Sequence, residues 1–234
     1  EMYKSNGTNS TGGTITATAI TDATLNNLFD DVTADEASAG ATEYRKIFVK
    51  NNHGSLTWTS VVFWRSSNTT STDDEISLGI GSSADDDGSS TLTAFGANAV
   101  VALISDGTDT RNVTLVGEDV SGARQTETVT LTSAVEVLSS GTYSKLYLTY
   151  VSSTSATRTI TVKQGSGGTT KGTIAPNKYS TILYLDPTSS TDGFELGSIA
   201  AAASQGLWLK RVVNSSATAV SSNSGTIQVR GETT

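Results

Sequence analysis

The residues able to do chemistry in this chain are few, and their spacing sorts them. There is one histidine, His53, and no cysteine. Ser–His–Asp or Cys–His catalysis needs a base that titrates near neutrality, and His53 is the one ordinary candidate. It sits in the run Asn51-Asn52-His53-Gly54-Ser55, a composition that reads as a solvated turn. A zinc site here would rest mostly on carboxylates, which zinc sites rarely do. Carboxylates cluster at Asp30-Asp31, Asp35-Glu36, Asp73-Asp74-Glu75 and Asp85-Asp86-Asp87. A glycosidase pair would have to flank a cleft. Solvated loop charges that protect edge strands are the plainer reading of the same runs.

Asp85, Asp86 and Asp87, followed by Gly88, form a calcium candidate, because hard oxygen ligands on a Gly-containing loop suit that ion. Their contiguity departs from the alternating ligands of an EF-hand, and no Glu follows at the bidentate position. Asp106-Gly107-Thr108-Asp109 reads first as a hairpin turn. Gly165-Ser166-Gly167-Gly168 lies between strand-like segments with no helix after it, so it lacks the setting of a phosphate loop. Trp and Tyr fall on alternating strand positions and read as core before sugar platform. The expectation is a protein that is not an enzyme, with no catalytic residue, no cofactor and no metal beyond that calcium candidate.

Composition points the same way. Roughly three residues in ten are Ser or Thr, while 35% are hydrophobic and 16% charged. Disordered chains carry more charge and fewer β-branched residues, so this profile suggests folded β-structure with a hydroxyl-coated surface. The net charge of −8 repels nucleic acid and anionic lipid, and neither is expected as a partner. No apolar run reaches membrane-spanning length; residues 94–104 come nearest and contain Gly96 and Asn98. No basic-then-apolar signal pattern opens the sequence.

Residues 1–14 are polar and Gly-rich, and read as a mobile arm or a strand that orders on a neighbour. Leu25, Leu28, Phe29 and Val32 recur at i, i+3, i+4 and i+7 after Asp22, and predict one or two helical turns. Thr33 and Glu36 have capping-box spacing, and Gly40 ends the stretch. From Tyr44 the period is two. Arg45, Ile47 and Val49 face one way; Tyr44, Lys46, Phe48 and Lys50 face the other. A turn at 51–54 leads to a return strand bearing Leu56, Trp58, Val62 and Trp64. Residues 75–80 are a further short strand, and residues 81–91 an acidic loop. Between 98 and 185, alternation at 112–116, 125–132, 143–151, 158–162 and 179–185 has the spacing of a small β-sandwich. After Pro187 the chain regains its opening texture at 206–213 and 226–230. Trp58, Trp64 and Trp208 all lie outside the middle stretch.

The fold expected is therefore all-β, with two β-sandwich domains and a short N-terminal helical segment. Residues 1–95 plus 188–234 would form an outer sandwich carrying the arm 1–14, with 96–187 inserted. A continuous string of two or three domains is the competing arrangement.

The stretch TLNNLFDDVTADEASAGATEYRKIFVKNNHGSLTWTSVVFW resembles the opening of a group of tailed-bacteriophage virion structural proteins. In that group a NLFDDV and EYR pattern precedes an apolar strand, and the chain closes on a segment like the one that opens with GLWLKR here and runs over 206–231. The two blocks usually lie closer together, which favours an insertion here. The middle, VTLVGEDVSGARQTETVTL with GTIAPNKYST, resembles the Ig-like β-modules of phage head, tail and fibre proteins, with jelly-roll-like sandwiches as neighbours in architecture. The resemblance implies a virion component, assembled in the host cytoplasm. The function it implies is decorating or cementing the capsid exterior, with the major capsid protein as partner and a homo-oligomer on the shell. A tail, neck or fibre component is the alternative. A carbohydrate-binding adhesion module is a second alternative.

Overall fold

Strands form where β-branched and aromatic residues recur at period two, and turns form where Gly, Asn and Asp interrupt them. The chain is all-β, with several antiparallel sheets in an arrangement consistent with β-sandwiches. The structure, a computed structural model, describes residues 1–8, 10–82, 86–220 and 223–234. The chain opens with β1 (Met2–Ser5), β2 (Ile15–Ala19), helix α1 (Ala34–Ala39), β3 (Ala41–Lys50), β4 (Trp58–Ser67) and β5 (Asp74–Ile80). The middle holds β6 (Ala99–Ser105), β7 (Asn112–Glu118), β8 (Arg124–Thr130), β9 (Val137–Tyr143), β10 (Lys145–Val151), β11 (Ile160–Gln164), β12 (Thr169–Ile174) and β13 (Ser180–Ile182). The last strands are β14 (Phe194–Ile199), β15 (Ser204–Val213) and β16 (Thr226–Thr233).

The chain divides into two units, one discontinuous (Glu1–Ser83 with Leu185–Thr234) and one continuous (Ala84–Tyr184). The discontinuous unit has a five-stranded sheet in the order β2-β1-β3-β15-β5 and a three-stranded sheet in the order β14-β4-β16. Its core includes Ile47, Phe63, Leu78, Ile80, Leu207 and Trp208, each fully buried. The continuous unit has two four-stranded sheets, β13-β10-β7-β8 and β12-β11-β6-β9. Its core is built on Leu103, Leu115, Tyr143, Tyr147 and Val162.

The middle unit begins earlier than residue 96 because residues just before it hydrogen-bond inside that unit. Leu92 N–H donates to the Ile182 carbonyl at 2.7 Å and Thr93 N–H to the Lys171 carbonyl at 2.6 Å. It ends before 187 because Leu185 exchanges backbone hydrogen bonds with Leu78, and Pro187 accepts one from Arg65.

Three local expectations are corrected. The segment bearing Leu25, Leu28, Phe29 and Val32 is not helical: Ala23 and Asn26 take positive φ (55° and 53°), and this left-handed geometry interrupts any helix there. Leu25 is 75% exposed instead of facing a core. The helix lies one step on. Thr33 caps α1, its Oγ1 accepting from Glu36 N–H at 3.2 Å while Glu36 accepts from Thr33 N–H at 2.8 Å, and Gly40 (φ 82°) ends it.

The arm 1–14 is not loose, because Met2, Tyr3 and Lys4 pair with Val49, Phe48 and Ile47 of β3 within the same chain. The strands β3 and β4 are not a hairpin. The turn between them carries the chain from one sheet to the other, so β3 pairs with β1 and β15, and β4 with β14 and β16.

Candidate functional site

Side chains from both ends of the chain meet in the discontinuous unit. Arg211 on β15 stands opposite Glu43 on β3 in the ladder, and Leu209 stands opposite Arg45. Because side chains two apart share a face, Glu43, Arg45 and Arg211 form one cluster. Arg211 Nε donates to Glu43 Oε2 at 2.7 Å, with the second guanidinium nitrogen on the same oxygen. Both side chains are largely buried, so the pair is a charge-assisted contact in partial shelter from water.

This cluster holds the loop before α1. Arg45 Nε donates to the Leu28 carbonyl at 3.1 Å, and Arg211 to the Asp30 carbonyl at 2.9 Å. Both guanidinium groups lie over the Phe29 ring, at 5.5 and 4.8 Å from its centre. Cation–π attraction and the two backbone bonds give this loop the anchoring that helix formation would otherwise supply. The Asp30 carboxylate, mostly exposed, lies 3.6 Å from Arg45 and 3.8 Å from Arg211. Sequence spacing grouped Leu28 and Phe29 on a helical face; no local pattern showed that two arginines 166 positions apart would converge on them.

Beside this cluster lies an open cleft of about 1360 Å³. Its lining includes Leu25 and Phe29 from the loop, Leu209 and Val213 from β15, Trp58 and Trp64 from β4, and Ile227 and Val229 from β16. Trp208 is core, as its strand position suggests, whereas Trp58 and Trp64 are only half-buried at the cleft.

The residues singled out for chemistry lie apart and are occupied locally. His53 Nδ1 accepts the N–H of Ser55 at 3.1 Å and of Leu56 at 2.9 Å, so it builds its own turn. Asp73 accepts from Thr218 N–H (2.9 Å) and hydroxyl (2.6 Å), and these bonds hold its carboxyl below the usual range. Asp74 accepts from Asn223 Nδ2 at 2.8 Å. Of the calcium candidates, Asp85 lies outside the described residues. Asp86 is buried, and Asp87 is held by Lys178 and by the backbone N–H of Ser89 at 2.8 Å. Among the described residues, no group of three or more His, Asp or Glu could hold a metal ion.

The Gly-rich turn at 165–168 offers its backbone to a carboxylate in the same unit. Gly167 N–H and the Ser166 hydroxyl each donate to Glu136 at 2.9 Å. Asp109 in the 106–109 turn binds Arg111 at 2.7 Å, and hydrogen bonding from that guanidinium is the main reason its carboxyl is held down.

No known family model matches this chain, and neither does any curated protein or solved structure. The site's chemistry is thus read from its own groups: an anchored loop, a sheltered ion pair and a cleft of mixed polar and apolar lining.

Proposed function

We propose that this chain is a non-enzymatic virion structural protein that decorates or cements the exterior of a bacteriophage capsid by bridging major capsid protein subunits. One observation carries the reading. The blocks that resemble the virion proteins, at 24–64 and 206–231, contribute Phe29, Glu43, Arg45 and Arg211 to a single cluster. The resemblance places these two blocks close together in one body, and their pairing through β3 and β15 agrees with that expectation. The continuous unit fits the role of an outward Ig-like module in architecture, having two four-stranded antiparallel sheets. Its strand order is its own, since constant-type Ig domains have sheets of four and three strands ordered ABED and CFG.

In this reading the protein works by burying surface on several shell subunits at once. Each added contact raises the effective concentration of the next, so modest pairwise affinities resist expansion of the shell. A symmetric oligomer would match the symmetry of the lattice beneath it. The test is to incubate purified protein with heads lacking it and to follow the temperature at which the shell ruptures. A rise with saturable binding is expected; no binding and no shift would reject cementing.

A further inference from the structure

We propose that the cleft of the discontinuous unit receives an extended segment of alternating apolar and polar residues with Lys or Arg at its ends, contributed by a shell subunit and laid along the free edge of β16. That the donor is a shell subunit rests on the reading above; the chemistry of the segment is read from the cleft itself.

The edge comes first. β16 is the outer strand of β14-β4-β16, and among the described residues no strand pairs with its other side. Natural edges are usually blunted by charge, proline or a bulge. The half of β16 that lines the cleft, Thr226-Ile227-Gln228-Val229, has neither charge nor proline, and its one irregularity, between Thr226 and Ile227, falls at the start of the strand and leaves Ile227 to Val229 in regular pairing with β4. An incoming strand would complete the ladder, and its alternate side chains would enter the cleft.

Size and lining then favour a peptide. The volume of about 1360 Å³ exceeds the roughly 300–1,000 Å³ usual for small-molecule pockets. Trp58 and Trp64 would offer a sugar two stacking faces, and Asn26, Thr226 and Gln228 would bond its hydroxyls, so what favours a peptide is the unpaired backbone of β16, which a sugar does not complete, beside the apolar Leu25, Leu209, Ile227 and Val229. An apolar side chain loses nothing against them, and Leu25 at 75% exposure gains most from being covered.

Charge specifies the flanks. Asp22, Asp30 and Asp31 are exposed on the lining, and no lysine is among the lining residues. The lining arginines are engaged, Arg65 by the Ile76 carbonyl and Asn68, and Arg211 by Glu43. The field at the cleft mouth is thus negative and draws cationic ends.

The test uses the full chain and two short labelled peptides of alternating valine and threonine, one with paired lysines at both ends, the other with paired glutamates. The lysine peptide should bind and shift the amide resonances of β16. The glutamate peptide should bind at least about tenfold more weakly. Combined Asp22→Lys and Asp31→Lys substitutions, at exposed positions that leave the core intact, should reverse that preference, and Leu25→Ser should weaken both peptides. Equal binding of the two peptides, no binding, or an oligosaccharide shifting the same resonances would overturn the proposal.

A second arm separates this from the shell reading. Heads lacking the chain are mixed with the native protein and with the Asp22→Lys, Asp31→Lys variant. Native binding with loss in the variant is expected. Equal binding by both removes the cleft from the contact and leaves decoration standing. No binding by the native protein removes decoration, and the peptides alone then judge the cleft.

Discussion

Arg211 and Glu43, 168 residues apart in sequence, are direct neighbours across β15 and β3, with Arg211 Nε 2.7 Å from Glu43 Oε2. A contact of that sequence separation ties the end of the discontinuous unit to its beginning. It also carries the loop at 28–30, because the same guanidinium reaches Phe29 and the Asp30 carbonyl.

Removing Glu43 leaves two sheltered guanidinium groups, Arg45 and Arg211, sharing the one exposed Asp30 carboxylate. Glu43→Ala should therefore cost about 3 kcal/mol, toward the lower end of the range for broken buried pairs. Urea unfolding checks this. Replacing both residues, as Glu43→Gln with Arg211→Met, should cost less than the single change, because Arg45 then has the Asp30 carboxylate to itself and no excess sheltered charge remains. A single-mutant loss within about 0.5 kcal/mol of zero would show that the pair does not secure the fold.

Much of the architecture was legible in the sequence, and for a physical reason. β3, β5, β7, β8 and β10 alternate or carry β-branched runs, so period and composition agree. β2, β6, β9, β12 and β14 were missed: β12 and β14 because TTKGTI and FELGSI mix glycine and polar residues and take their strand state from neighbours, and β6 because AVVALIS is an apolar run with no period of two. The false helix at 25–32 shows the limit of periodicity. Apolar residues at helical spacing can also line an irregular loop when long-range groups, here Arg45 and Arg211, hold it down. The capping box at Thr33 was readable because its chemistry is local. The cleft was not, since its lining spans loop and strands from both ends of the chain.

Thr33→Ala should remove the N-cap bond to Glu36 and cost about 1 kcal/mol. α1 has six exposed or half-exposed residues, so the effect should be local. Amide exchange should accelerate at Glu36 and Ala37 while the core of β3 stays protected. Unchanged exchange at Glu36 would contradict the cap.

Asp109 gives a pH prediction. Its carboxyl is held below its ordinary value of 3.8, mainly by hydrogen bonding from Arg111. A depressed carboxylate contributes stability that is complete above its unfolded value and lost as pH falls through the folded one. Stability of the continuous unit should thus decline as pH drops below about 4, and Asp109→Asn should flatten that decline. Urea midpoints across acid pH would show it; parallel curves for the two proteins would contradict it.

The division of the chain predicts that deleting residues 84–184 and joining the ends with a short Gly/Ser link leaves a folded body. The five-stranded sheet draws β1, β3 and β5 from one side of the deletion and β15 from the other. Circular dichroism should retain β-structure with a cooperative melt. A product without cooperative unfolding would show that the discontinuous unit needs the middle of the chain.

The account stands on this chain being a gripping component of an assembled particle. Electron cryomicroscopy of the intact virion produced by the encoding genome tests that directly. Density for both units on the outer face of the head, with the β16 cleft against a shell subunit, is the predicted result. Density confined to the tail, or purified particles that lack the chain, would contradict it.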